Sequence, residues 1–469
     1  MTMAACTIHD DRFPSSSLDS GSHGENTTTI RIDREHVVFP AHPSQHHRIH
    51  LSAFDLNFLL IHYNQRGLLY EMPTDDFSSA VTLLETSLSQ VLESFYPLAG
   101  RLATSPSDGA IFIDCNDAGV AFIEASAENV LSIADVMATE VTTTIMDQLF
   151  ALNGAINIEG HRLPLLTVQL TKLRDGIFVA CTFNHAVGDG TCFWLFLHAW
   201  AEICRQGNAL NLSIHPIYDR CGIPSNPNRS SVRLNLELDK DIGRFCRPLR
   251  TKIFHFTKEM IIGLKNRANS GRKSLQLPIS SLQALCGHVW LAITRARGLG
   301  RNDQTKFGLA FDCRSRLLPT LPAAYFGNAI QVVSVTSTAW EVVSNEVSFP
   351  AQLLHGVIKS HGDKSIRKEI DEWEKNPTLF SLGNVGNTVN NPLLLGGSPR
   401  FNVYQTDFGW GKPVAIRSGC ANKIDGKLYV CPGREQDGSV DLEISLVPET
   451  MSALEVDRDF LDPSLVGSM

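Results

Sequence analysis

The 469-residue chain is 43% hydrophobic and 19% charged, as globular proteins are, and its length exceeds what one core organises, so two domains are expected. A net charge of −8 argues against general nucleic-acid binding, and no stretch approaches the roughly 18 uninterrupted apolar residues of a membrane helix. The 11 cysteines are odd in number and form no Cys-x-x-Cys pair, which indicates neither a disulfide framework nor a metal site. With no basic region leading into an apolar one at the N-terminus, the cytoplasm is the expected compartment.

In chain order, residues 1–26 read as a disordered extension, polar and rich in Ser and Gly from Phe13 onward. A first α/β domain is expected over 27–207. In it Val81, Leu84, Leu88, Val91, Leu92 and Phe95 form one apolar stripe of a helix from Phe77 to Phe95. Pro164–Leu173 and Ile177–Phe183 read as strands flanking Arg174-Asp175-Gly176, a hairpin whose second strand is buried on both faces. Thr191 is a candidate N-cap for a helix whose Phe193, Phe196, Leu197, Trp200 and Cys204 share one face. Residues 208–237, with Pro216, Gly222, Pro224 and Pro227 among Asn and Ser, read as a crossover into a second domain over 238–469. There Ser280 or Ser281 caps a helix running through Trp290 to Arg297 and ended by Gly298. Val440, Leu442, Ile444 and Leu446 alternate with Asp441, Glu443 and Ser445, a strand with one wet face.

Between the hairpin and its helix lies Asn184-His185-Ala186-Val187-Gly188-Asp189-Gly190, where a buried strand delivers a histidine to a glycine-rich turn. The His-x-x-x-Asp spacing alone is weak, since His215-Pro216-Ile217-Tyr218-Asp219 repeats it. That copy has no strand before it and no apolar helix after it, and it reads as a chance match.

Asp407-Phe408-Gly409-Trp410-Gly411-Lys412-Pro413 stands near the far end of the chain. Together with His185-x-x-x-Asp189, it resembles the paired signature of the plant BAHD acyl-CoA-dependent acyltransferases. Tyr96-Pro97-Leu98-Ala99-Gly100-Arg101, Tyr325-Phe326-Gly327-Asn328-Ala329 and Gly426–Leu446 are similar to further landmarks of that family, so the resemblance runs from about Val37 to Phe460. It implies two chloramphenicol-acetyltransferase-like α/β domains in one chain, joined by the crossover, with the active site in a channel between them. It further implies a monomer that takes acyl-CoA as co-substrate and a small-molecule acyl acceptor, with no bound cofactor.

No Gly-x-Ser-x-Gly elbow or P-loop is present, so serine-hydrolase and nucleotide chemistry lack their anchors. A neutral imidazole at His185 can take a proton from a hydroxyl or amine as that group attacks a thioester. Asp189 either orients His185 or points away to pair with an arginine, and the resemblance favours the second role. Asp407 is likewise either a second proton acceptor or a structural anchor, for which the resemblance implies an arginine partner, Arg314 or Arg316. Gly409 and Gly411 around Trp410 suggest a turn that admits only small residues. Lys265, Arg267, Arg272 and Lys273 form a basic cluster that reads either as a solvated charge run or as a site for the coenzyme A phosphates. Cys181 and Cys192 flank His185, but the first lies too far along its strand and the second is expected to be packed, so no acyl-enzyme is anticipated.

Relatives that acylate shikimate carry a tryptophan shortly before the Asp-Phe-Gly-Trp-Gly motif, where this chain has Gly397-Ser398-Pro399-Arg400-Phe401. A different acceptor pocket is therefore expected, and the segment resembles a branch that includes cuticle-related acyltransferases. Transfer to oxygen or nitrogen, a lyase on the same fold and a silent ligand-binding protein are the three competing functions, and the intact His185 favours transfer.

Overall fold

The computed structural model describes residues 29–45, 47–71, 77–138, 143–207, 212–224, 248–270, 278–380 and 392–463. The 1–26 extension, residues 208–211 and 225–237 of the crossover, and Arg272 and Lys273 lie outside the described residues. Fifteen strands follow in chain order among the described residues: β1 (Arg31–Val38), β2 (Arg48–His50), β3 (Asn64–Glu71), β4 (Arg101–Thr104), β5 (Ile111–Asp114), β6 (Val120–Ser126), β7 (Leu166–Lys172), β8 (Gly176–Phe183), β9 (Arg250–Phe256), β10 (Gln304–Asp312), β11 (Ile330–Thr338), β12 (Pro392–Gly397), β13 (Ala415–Ser418), β14 (Lys427–Pro432) and β15 (Val440–Leu446).

They build two mixed six-stranded sheets, ordered β1-β6-β7-β8-β3-β13 and β11-β10-β12-β14-β15-β9, and a small sheet β2-β5-β4. The expected hairpin is β7 with β8, paired antiparallel from Leu166 opposite Phe183 to Lys172 opposite Ile177. Every residue of β8 is buried, because the apolar run faces core on both sides. The helix Phe77–Ser94 lays its predicted stripe on this sheet beside the helix Gly190–Gln206. In the second half the helices Lys258–Asn269, Ser281–Ala296 and Ser348–Ser360 cover the other sheet. Ser280 is the N-cap there, its hydroxyl accepting from the Gln283 amide.

Three local expectations change. Asp189, not Thr191, caps the helix after the histidine, because its carboxylate reaches the amides of Thr191 and Cys192. Only Asp441 of the polar residues of β15 keeps a surface position, paired with the exposed His255, whereas Ser445 is buried against Thr251 and Glu443 turns to a cavity. The chain order of the halves is also broken, since β13 leaves the second half and pairs antiparallel with β3, Ala415 opposite Leu69. Within the crossover, Ile217 bridges Tyr325, and His215 is exposed on that segment, away from the cavity. No helix among the described residues is long and apolar enough to cross a membrane.

Trp200 anchors the packing at the centre of the first half. It is fully buried, donates to the Ser87 hydroxyl at 3.0 Å and meets Phe408 of the second half edge-on at 5.0 Å. Trp200→Ala should destabilise by about 3 to 5 kcal/mol, read as a fall in melting temperature. A variant that melts with the wild type would show that this contact is not an anchor.

Candidate active site

A cavity of about 1160 Å³ lies between the two halves, lined from one side by Phe58, Asn64, Arg66 and His185 and from the other by Leu309, Leu394, Lys427 and Glu443, among others. It exceeds the roughly 300–1,000 Å³ of common small-molecule pockets, and so has room for two reactants.

His185 is set at the end of β8 by its backbone. The Asn157 side chain accepts from its amide at 2.7 Å, and Asn328 Nδ2 donates to its carbonyl at 2.8 Å. Asn157 is itself tied by donation to the carbonyls of Phe58 and Ile61, and Asn328 by donation to Asp55 at 2.9 Å. Asn184 closes the turn, donating to the Asn157 carbonyl and accepting from the Ala186 amide. Gly188 is required by close approach, since a Cβ there would lie 2.7 Å from Cys192 Cβ. The imidazole stacks on Phe58 with ring centres 4.5 Å apart. Nδ1 is sealed in with no hydrogen bond of good geometry, although the Asn328 side chain and the residue's own backbone lie close enough to favour the protonated ring, and this leaves Nε2 as the nitrogen open to the cavity. Burial holds the pKa below the ordinary imidazole value, so the ring is a free base at neutral pH.

Asp189 points away from His185. Its two oxygens receive Arg314 Nη1 at 2.7 Å and Nη2 at 3.0 Å, together with the Ala329 amide at 3.0 Å and the helix amides. Burial opposes its ionisation, but Arg314 and these donors hold the carboxyl below its usual pKa. Arg314 also donates to the Gly327 carbonyl at 2.8 Å. The pair thus bolts the helix start of the first half to the second.

The arginine expected at Asp407 is therefore spent elsewhere, and Arg316 does not supply it. Arg316 donates to the carbonyls of Ile358 and His361 at the end of a helix while lining the cavity. The Asp407 carboxylate instead accepts from the amides of Gly409 and Gly411 at 2.8 and 2.9 Å, closing its own turn, and Arg205 donates to its backbone carbonyl. Gly409 and Gly411 have φ of 108° and 95° with open space around them, so backbone conformation and not crowding demands glycine. Trp410 packs edge-on against Tyr70 at 5.7 Å. None of Asp407, Gly409, Trp410 and Gly411 lines the cavity.

Of the basic cluster, Lys265 and Arg267 lie among the described residues. Lys265 reaches the cavity, whereas Arg267, two residues on along the same helix, does not line it. Sequence reasoning missed Asn157, Asn328 and Asp55, which position the histidine through its backbone. It also missed Arg66, on the His185 side of the cavity, and Lys427, on the opposite side. Asn328 stood inside a recognised landmark, but its partner Asp55 is 273 residues away.

A model of the Transferase family matches residues 28–461. The BAHD acyltransferase DCR of Arabidopsis thaliana is 37% identical over 439 residues, with 88% of each chain covered. Among solved structures, vinorine synthase superposes with a TM-score of 0.71 at 22% identity, covering 91% of this chain and 96% of its own. F. sporotrichioides TRI101 complexed with coenzyme A and T-2 superposes with a TM-score of 0.71 at 18% identity, covering 88% and 98%. At these identities the two structures establish the fold, with its two sheet-containing domains.

The geometry ranks the two carboxylates. Asp189→Ala should cost about 3 to 5 kcal/mol by stranding a buried Arg314, while Asp407→Ala, which loses two amide contacts in a partly exposed turn, should cost about 1 kcal/mol. Thermal melts of both variants check this, and an Asp407→Ala protein less stable than Asp189→Ala would reverse the assignment.

Proposed function

The chain belongs to the BAHD acyltransferases of the Transferase family, and from that premise and the cavity we propose that it moves an acyl group from a coenzyme A thioester to a hydroxyl or amine of a small metabolite. His185 is the general base. The observation that supports this reading is one neutral, stacked imidazole, locked through its backbone, with a single nitrogen open to a cavity large enough for both substrates.

The acceptor enters the cavity and its O–H or N–H donates to His185 Nε2. As the proton moves, oxygen or nitrogen attacks the thioester carbonyl and a tetrahedral oxyanion forms. Collapse breaks the carbon–sulfur bond, and the coenzyme A thiolate leaves and takes up the proton. The thioester is already activated, so alignment and deprotonation carry most of the rate. Asp189 and Asp407 contribute by holding the scaffold, not by touching the reactants. The two thiols do not compete: neither Cys181 nor Cys192 lines the cavity, and burial pushes the Cys192 thiol up to about 12. One chain supplies both walls of the cavity, which supports a monomer as the working unit.

His185→Ala should lower kcat by about 10² to 10⁴ in a protein that still folds, with release of coenzyme A as the readout. A variant with wild-type kcat removes the mechanism. Because burial lowers the imidazole pKa, the base form is present above that value and lost below it. The acid limb of kcat/KM should therefore fall below the ordinary pKa of about 6.5. A limb centred above it would contradict a buried neutral base. Varying acyl-CoA and acceptor together should give intersecting double-reciprocal lines. Parallel lines, with one acyl group gained by the protein from donor alone, would establish a covalent route instead.

A further inference from the structure

Around Arg66 and Lys427, which approach each other from the two sides of the cavity, the wall carries more positive charge than it neutralises. Lys427 and Tyr429 are alternate residues of β14 and so share a face, and both line the cavity with Arg66, Lys423 and Glu443. A Cβ built at Gly396, on the neighbouring strand, would lie 3.6 Å from Lys427 Nζ, so the ammonium stands beside bare backbone. Arg66 lies on β3, where Asn64 pairs with Phe183, two residues before His185. Its guanidinium sits 3.8 Å from the Tyr429 ring centre, and its buried Nε has no hydrogen-bond acceptor.

Glu443 is the one carboxylate in this group, and it is engaged by the Ser418 hydroxyl and by Lys423 at 3.5 Å. Asp189 is committed to Arg314. Among the described residues no carboxylate forms an ion pair with Lys427 or Arg66. Burial first, and Arg66 second, lower the Lys427 ammonium to about 8, against the pull of Glu443. Holding two cations in a partly desolvated wall is unfavourable in itself, and a substrate of opposite charge offsets that cost.

We propose that this wall receives a carboxylate carried by one of the two substrates, with the Lys427 ammonium and the Arg66 guanidinium as its counter-charges. The proposal rests on the acyl-transfer reading, since it assigns a chemical class to a substrate of that site. The carboxylate belongs either to the acceptor or to the acyl group, and two matched probe pairs separate these sources.

Titration calorimetry on the full chain would compare malonyl-CoA with acetyl-CoA, and 3-hydroxybenzoate with its methyl ester in the presence of saturating coenzyme A. In one arm the carboxylate probe should bind about tenfold tighter, the effect of one charge-assisted hydrogen bond. Lys427→Met should abolish the preference and Lys427→Arg should keep it. If Lys427→Met does not fold, Arg66→Met carries the same comparison. Equal affinity within both pairs, or a preference that survives the loss of the cation, overturns the proposal. Coenzyme A release measured on the same protein keeps the two questions apart. Transfer without discrimination defeats only the carboxylate assignment, and discrimination without transfer defeats only the acyl-transfer reading.

Discussion

The position of His185 depends on a buried ion pair that never touches it. Asp189 caps the helix after His185 and is gripped in bidentate fashion by Arg314, which enters from the turn after β10. Removing two charges from water is costly, and such pairs are weak evidence of net stability. This one is compensated on every side, because the carboxylate also takes the Ala329, Thr191 and Cys192 amides and the guanidinium takes the Gly327 carbonyl. Its main effect is registry: the helix start, the Arg314 turn and the 325–329 segment can meet in only one arrangement.

Around that pair a second layer of side-chain amides fixes the backbone at His185. Asn157, Asn184 and Asn328 use their side chains on backbone groups at or next to His185, and Asp55 holds Asn328 in turn. The imidazole itself is left to stacking and burial. No acid sits against Nδ1, and so burial, rather than a dyad partner, sets the protonation state of the ring. Such an imidazole is unprotonated at neutral pH, which is what the proposed acyl transfer requires of it.

Much of this was legible in the amino-acid pattern, because local patterns decide local structure. The run Ile177–Phe183 had to be a doubly buried strand, the periodicity from Phe193 to Cys204 a helix, and Ser280 a cap, and the structure has all three. Partnerships across the chain were not legible. The resemblance implied Arg314 or Arg316 as the partner of Asp407 and an unspecified arginine for Asp189; Arg314 binds Asp189, and a pair of glycine amides satisfies Asp407. Thr191 looked like a cap because hydroxyls often are; the carboxylate two residues earlier won by reaching two amides at once. Lys427 lay inside the Gly426–Leu446 landmark, but nothing marked it as a cavity residue. In an alternating strand a lysine reads as solvent-facing, and only the approach of β3 and β12 turns that face inward.

The edge strand β13 carries a consequence for how the chain is made. β3 finds one neighbour, β8, within the first half, but its other neighbour is β13, about 350 residues later in the sequence. At a synthesis rate of about 5 to 20 residues per second, roughly 20 to 70 s pass between the emergence of the two. Throughout that interval the nascent first half presents an open row of amides and carbonyls along β3, the kind of edge on which stray strands add. The first sheet is therefore completed only by a strand of the second half, so the order in which the chain is made leaves this edge unpaired until β13 is available.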